Sequence, residues 1–263
     1  MLDAIRELAP KLTCLSAERI RDELTAMLCG PRPDQAFRLL SSSGILAVVL
    51  PEIEAMHGVD QPFQFHPEGD VFEHTMLLLK HIAWPHPEIG WAALLHDVGK
   101  PCSRTRGEDG AVHFYGHEDQ GAEMAGVILR RLKQPAVLTE HVVAAVRNHM
   151  RFASVRKMRP AKWRRLMADS NFPLELELHR LDCMACHGFM ENYVWLLDRM
   201  TELRLAGDQA LPPPLLTGHD LIRCGIPPGP AMGRLLNSLR DLQLEGRISS
   251  RQEALKALEK LLR

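Results

Sequence analysis

Apolar residues along this chain of 263 residues recur at intervals of three and four, the spacing that lines one face of an α-helix. SAERIRDELTAML fits it, with Ser16 as N-cap and Glu18 and Asp22 in the early turns. PDQAFRLLSSSGIL gives a second, short helix ending near Ser43 and Gly44. The same spacing predicts helices over about Asp70 to Ala83, His117 to Leu132, Ala136 to His149, Pro160 to Ala168, Pro173 to His187, Met190 to Leu205 and Arg251 to Leu262. CSRTRGEDGAVHFYG breaks the pattern: an Asp109-Gly110 turn between short β-favouring runs predicts a small hairpin. The pattern as a whole predicts an all-α fold.

The strongest linker signal is AGDQALPPPLLTG, with Pro212, Pro213 and Pro214 in a row. Residues 1–60 read as a helical neck, 61–205 as the central bundle, and 206–263 as linker and helical tail. With 46% hydrophobic and 25% charged residues, the composition is that of an ordinary globular protein. A net charge of -1 means that any polyanion binding must come from local charge. The segment MLDAIRELAPKLT carries Asp3, Arg6 and Glu7 where an export signal needs an apolar core. No apolar run approaches the ~20 residues of a membrane span. The six cysteines then read as reduced thiols and the expected location is the cytoplasm.

The chemistry concentrates where ionisable residues fall on apolar helix faces. WAALLHDVGKP delivers His96 and Asp97 at the end of a face prepared by Ile89, Ala92 and Ala93. A buried carboxylate must lose its charge or find a cation. No lysine or arginine occupies a matching inward position by helical spacing. His74, His117, His149 and Asp182 do occupy such positions on other helices. Any one buried histidine is ordinarily a satisfied core residue, but several with two carboxylates point to a metal centre. Imidazole and carboxylate without thiolate suit one or two divalent ions of Mn, Fe, Ni, Co or Mg. Asp97 has two oxygens and could bridge them. His74, His96, Asp97 and Asp182 would hold one ion, and Asp97, His117 and His149 the second. Two such ions ~3.5–4 Å apart activate water and clamp phosphoryl oxygens.

This pattern resembles the HD-domain superfamily of metal-dependent phosphohydrolases, whose hallmark is a spaced His, a His-Asp doublet and a distant Asp. Here these fall on His74, His96-Asp97 and Asp182. His117 in FYGHEDQGAE and His149 in VRNHMRF match members with a two-metal site; Asn148 stands where some of them have a further histidine. SAERIRDELTAML, GILAVVLPEIEAM, GDVFEHT and LLTGHDLIRCGIPPGPAMGRLLNSL are similar to the neck, HD and tail regions of the bacterial tRNA nucleotidyltransferase/poly(A) polymerase family. That resemblance covers nearly the whole chain. The Gly-rich turn and spaced acidic pair of the family's nucleotidyltransferase head are not found, so nucleotide addition is not carried over. The resemblance implies 2',3'-cyclic phosphodiesterase, 2'-nucleotidase and phosphatase activity.

Several signals compete. CMACH, Cys183 to His187, has the form of a haem-attachment motif, but Cys183 directly follows Asp182 on a helix, so core packing is the expectation. His219-Asp220 repeats the doublet after the linker and reads as a helix start. His57, His66, His81, His86, His113, His141 and His187 read as surface or supporting groups, with His66 and His113 nearest the site. The run from Arg147 to Arg165 carries eight cations and no acid. It is a solvated face or a phosphate-binding stretch flanking the metal cleft. The expected protein is a phosphohydrolase of nucleotides or RNA ends, not a membrane protein. Asp97, Lys100 and His117 would be catalytic, and Lys100, Arg104 and Arg151 would bind substrate. His117 or His113 would protonate the leaving oxygen. The rival is a non-catalytic RNA-binding or partner module with a structural metal.

Overall fold

The computed structural model describes residues 2–61, 69–108, 111–186 and 188–262. The Asp109-Gly110 turn, His66 and His187 lie outside the described residues. The fold is all-α apart from a two-stranded antiparallel ribbon that pairs Thr105 with His113 and Arg106 with Val112. No helix among the described residues is long and apolar enough to cross a membrane. None of the six cysteines is in a disulfide.

The helices form where the spacing places them. Ser16 caps Ala17–Leu28 by accepting from Arg19 N at 3.4 Å. Asp70 caps Val71–Lys80 by accepting from Glu73 N at 2.8 Å. His117–Arg131, Ala136–Asn148, Pro160–Met167, Phe172–Ala185, Glu191–Leu205 and Arg251–Leu261 follow within two residues of expectation. Pro230–Leu244 is a further helix of 15 residues, opened by a proline in its first turn.

Contacts divide the chain into two units rather than three. One comprises Met1–Ala153 with Pro173–Tyr193, the other Ser154–Phe172 with Val194–Arg263. In the first, neck and central bundle share one core: Leu24, Leu28 and Phe37 join Leu78, Trp91, Leu129, Val146 and Leu178. Trp91 Nε1 donates to Thr25 Oγ1 at 3.1 Å, so even the polar edge of this buried ring is satisfied. The second unit has its own core around Leu221, Leu239, Ala254 and Leu258. There Asp220 accepts from the backbone N–H and the hydroxyl of Thr217, both at 2.8 Å, and pairs with Arg251 at 2.5 Å. The second His-Asp doublet is thus a helix cap.

Candidate metal centre

Helix ends aim three of the imidazoles in the first unit. His96 follows Pro87–Leu95, His149 follows Ala136–Asn148, and His117 opens His117–Arg131 after the left-handed Gly116 (φ 71°). Backbone carbonyls at helix ends lack helical partners, and each ring uses one. His96 Nδ1 meets Ala93 O at 2.9 Å, His117 Nδ1 meets Phe114 O at 2.7 Å, and His149 Nδ1 meets Val146 O at 2.6 Å. A carbonyl can only accept, so in all three rings Nδ1 carries the proton and the neutral ring presents a bare Nε2 lone pair.

Those lone pairs converge on Asp97, itself 1% exposed. Oδ1 lies 3.6 Å from His117 Nε2 and 3.8 Å from His149 Nε2. Oδ2 lies 3.1 Å from His96 Nε2 and 3.7 Å from His74 Nε2. His117 and His149 face each other Nε2 to Nε2 at 3.2 Å, as do His74 and His96. Asp182, on Phe172–Ala185, sets Oδ1 3.1 Å from His74 Nε2. The donors thus form clusters on either side of one carboxylate. Facing lone pairs repel unless a cation lies between them, so the donor set fits divalent ions.

Gly99 is what allows the Asp97 turn to sit so near His117. A Cβ at Gly99 would lie 2.3 Å from His117 O and 2.6 Å from Gly121 N. The glycine of HDVGKP is therefore required by backbone approach.

The local charges are uneven. Burial raises the Asp97 pKa, but the charges of His96 and Lys100 outweigh it and hold the carboxyl well below its usual range. Burial likewise raises that of Asp182, and the hydrogen bond and charge of His74 overcome it. Burial pushes the His149 imidazole down to about 4, against the upward pull of Asp97.

Lys100 corrects one expectation. It is 6% exposed, and its Nζ lies 2.7 Å from Asp97 Oδ2 and 2.6 Å from Gln61 Oε1. A cation therefore does reach the buried carboxylate. It arrives through the turn after Asp97, where Lys100 N bonds Asp97 O at 3.0 Å, and not through helical periodicity.

Arg151 is also corrected. It pairs with the fully buried Glu175, which accepts from Asn148 Nδ2 at 2.9 Å, so its charge is already engaged. Arg104 makes a 3.5 Å pair with the exposed Asp60. Within the basic run, Arg147 pairs with Asp119, Arg159 with Asp241 and Glu245, Arg164 with Asp208, and Arg165 with Asp241. The acids come from distant sequence, so the run is largely a set of structural ion pairs. His113 stacks on Tyr115 at 5.1 Å between ring centroids. With Nδ1 committed to Phe114 O and Nε2 in the cluster, His117 has no proton placed for a leaving group.

Two residues escaped the sequence reading. His179 is buried, stacks on Phe152 at 5.1 Å and lies 3.7 Å from Cys183 Sγ. Its signal was its place three residues before Asp182. Cys186 is not simply packing: its Sγ lies 3.8 Å from His74 Nδ1 and 3.7 Å from Asp182 Oδ1.

Residues 71–181 match the HD domain family. The chain is an HD-domain protein. Ahead of the HD domain, residues 1–56 match the family described as a probable RNA and SrmB-binding site of polymerase A. The chain is 36% identical over 245 residues to the CC-adding tRNA nucleotidyltransferase of Thermus thermophilus, covering 90% of this chain and 55% of that protein. It is 33% identical over 258 residues to the A-adding tRNA nucleotidyltransferase of Deinococcus radiodurans, covering 90% and 56%. A multifunctional CCA protein of Aromatoleum aromaticum is 36% identical over 148 residues, covering 56% and 36%. The HD-domain chain thus spans about half the length of the first two relatives. Its neck, HD and tail regions resemble those of this tRNA nucleotidyltransferase family.

Proposed function

We propose that this HD-domain protein is a cytoplasmic metal-dependent phosphohydrolase, a phosphodiesterase or phosphatase acting on nucleotides or RNA ends. Its substrates would be 2',3'-cyclic phosphates and 2'-phosphates. The observation that carries this reading is the pair of donor clusters joined through the two oxygens of Asp97. Residues 1–60 serve as neck, 61–205 as the HD part, and 206–263 as linker and tail. Asp97 bridges, His74, His96 and Asp182 complete one ion site, and His117 and His149 complete the other. When bound, divalent ions supply positive charge for phosphoryl oxygens and lower the pKa of water.

The chain's own groups do the remaining work. Lys100 holds a fixed positive charge beside Asp97 in a water-poor setting, where charge acts strongly on a phosphoryl group. Arg104, tied only loosely to Asp60, can reach for a further phosphate oxygen. Arg151 and Glu175 brace the turn that follows His149. The match of residues 1–56 to an RNA-binding family and the tRNA enzymes among the relatives support RNA as the polymer. The same observations favour the RNA-binding module as the second reading.

The test is hydrolysis by the purified protein, chelated and then reloaded with Mn, Fe, Co, Ni or Mg in turn. Substrates are adenosine 2',3'-cyclic phosphate, adenosine 2'-phosphate, RNA with a 2',3'-cyclic end, and methyl phosphate. Ion-dependent turnover with a preference for the nucleotides and RNA is expected. No turnover with any ion, while RNA still binds, would replace the enzyme by the binding module.

A further inference from the structure

Three of the four imidazoles share one device, and the fourth does not. His96, His117 and His149 each give Nδ1–H to the carbonyl three residues earlier. His74 lies within the helix Val71–Lys80, where the corresponding carbonyl, Val71 O, already accepts the Thr75 hydroxyl at 2.8 Å. Its Nδ1 instead faces the thiol of Cys186 at 3.8 Å.

The difference is chemical. A carbonyl only accepts, so it locks the ring it holds. A thiol can donate through S–H or accept through sulfur, weakly in either sense. His74 therefore has two satisfied states. Without an ion, Nε2–H points at Asp182 Oδ1, 3.1 Å away, and Cys186 donates to Nδ1. With an ion, Nε2 presents its lone pair and Nδ1–H turns to sulfur. One proton leaves Nε2 and one arrives at Nδ1, with no rotation of the ring.

We infer that Cys186 is a positioning residue for His74: its thiol lets that imidazole change tautomer as an ion enters. The purpose assigned here rests on the metal-dependent reading above, whereas the tautomer itself can be read in protein without ion. Partners of the outward nitrogen of a metal-binding histidine typically alter affinity about 10–100-fold when removed.

The experiment uses the full chain labelled with 15N at histidine. NMR is recorded chelated and with zinc alone, for wild type, Cys186→Ala, Cys186→Ser and Cys183→Ala. In the chelated wild type, His74 should carry its proton on Nε2 and the other three rings on Nδ1. Zinc should move only the His74 proton. Cys186→Ala should change the His74 signals in chelated protein and weaken one zinc equivalent by about tenfold or more. Cys186→Ser should restore both readouts, and Cys183→Ala should leave them unchanged. Identical His74 signals in wild type and Cys186→Ala overturn the inference whether or not zinc binds. A sulfur-to-metal charge-transfer band in the cobalt-loaded wild type also overturns it, by making Cys186 a ligand. Absence of zinc uptake by wild type sinks the metal-dependent reading instead.

Discussion

The two sides of Asp97 solve the same electrostatic problem differently. On the Oδ1 side, His117 and His149 are locked by backbone carbonyls with bare nitrogens 3.2 Å apart. That side is rigid and incomplete without a cation. On the Oδ2 side, Lys100 pairs with Asp97, and His74 can pair with Asp182. That side neutralises itself when empty. One half is pre-organised for an ion, and the other must exchange an internal partner for one. Preorganisation favours binding, while self-neutralisation protects the fold.

The sharpest way to break the comparison is to remove what the halves share. Asp97→Asn keeps the size but not the charge, and it should abolish both ion sites and the hydrolysis. Helical content by circular dichroism should be retained. An unchanged metal load by elemental analysis would remove Asp97 from the centre.

Lys100→Met separates the halves. It removes the internal cation and leaves a buried carboxylate unpaired, which typically costs about 3–5 kcal/mol. The chelated variant should lose that much stability in urea melts, and the loaded variant should lose less. Equal losses in the two forms would mean that Lys100 does not stand in for an ion.

The Oδ1 half can be addressed by pH. The His149 imidazole titrates near 4 in the folded chain, against an ordinary 6.5. Between those values the unfolded chain binds a proton that the folded one refuses. Stability from this group is therefore complete above pH 6.5 and declines as pH falls towards 4. The total is on the order of 3 kcal/mol. Chelated His149→Gln should show a flatter pH dependence across that window, and the wild-type slope in this variant would contradict the assignment.

Gly99→Ala should have the smallest effect and disturb both halves. Its Cβ would meet backbone atoms of His117 and Gly121, and such overpacking commonly costs about 1–3 kcal/mol. Thermal melts showing wild-type stability, with both ions retained, would mean that the turn has room that the contacts deny.

Periodicity exposed the helices and the inward His and Asp residues because burial of a helix face repeats every three or four positions. Lys100 stayed hidden because it enters the site through a turn, where helical spacing says nothing. Arg151 looked available because Glu175 is 24 residues away in sequence. Cys186 was misread for a related reason. It sits just past the end of Phe172–Ala185, so only the folded chain shows which side of His74 it meets. The helix Pro230–Leu244 carries a readable apolar stripe at Met232, Leu235, Leu236 and Leu239, yet it followed a Pro- and Gly-rich stretch that masked its start.

Lys100 has one more consequence, for the order of events in the life of the protein. Small zinc domains collapse only around their metal, so assembly and loading are one step. Here an ammonium group of the chain itself occupies the role of counter-ion at Asp97. The scaffold can therefore mature first and be charged later, emptied and charged again. Which element it carries at any moment is then decided by the surrounding supply, and the same polypeptide can be dormant or competent without being remade.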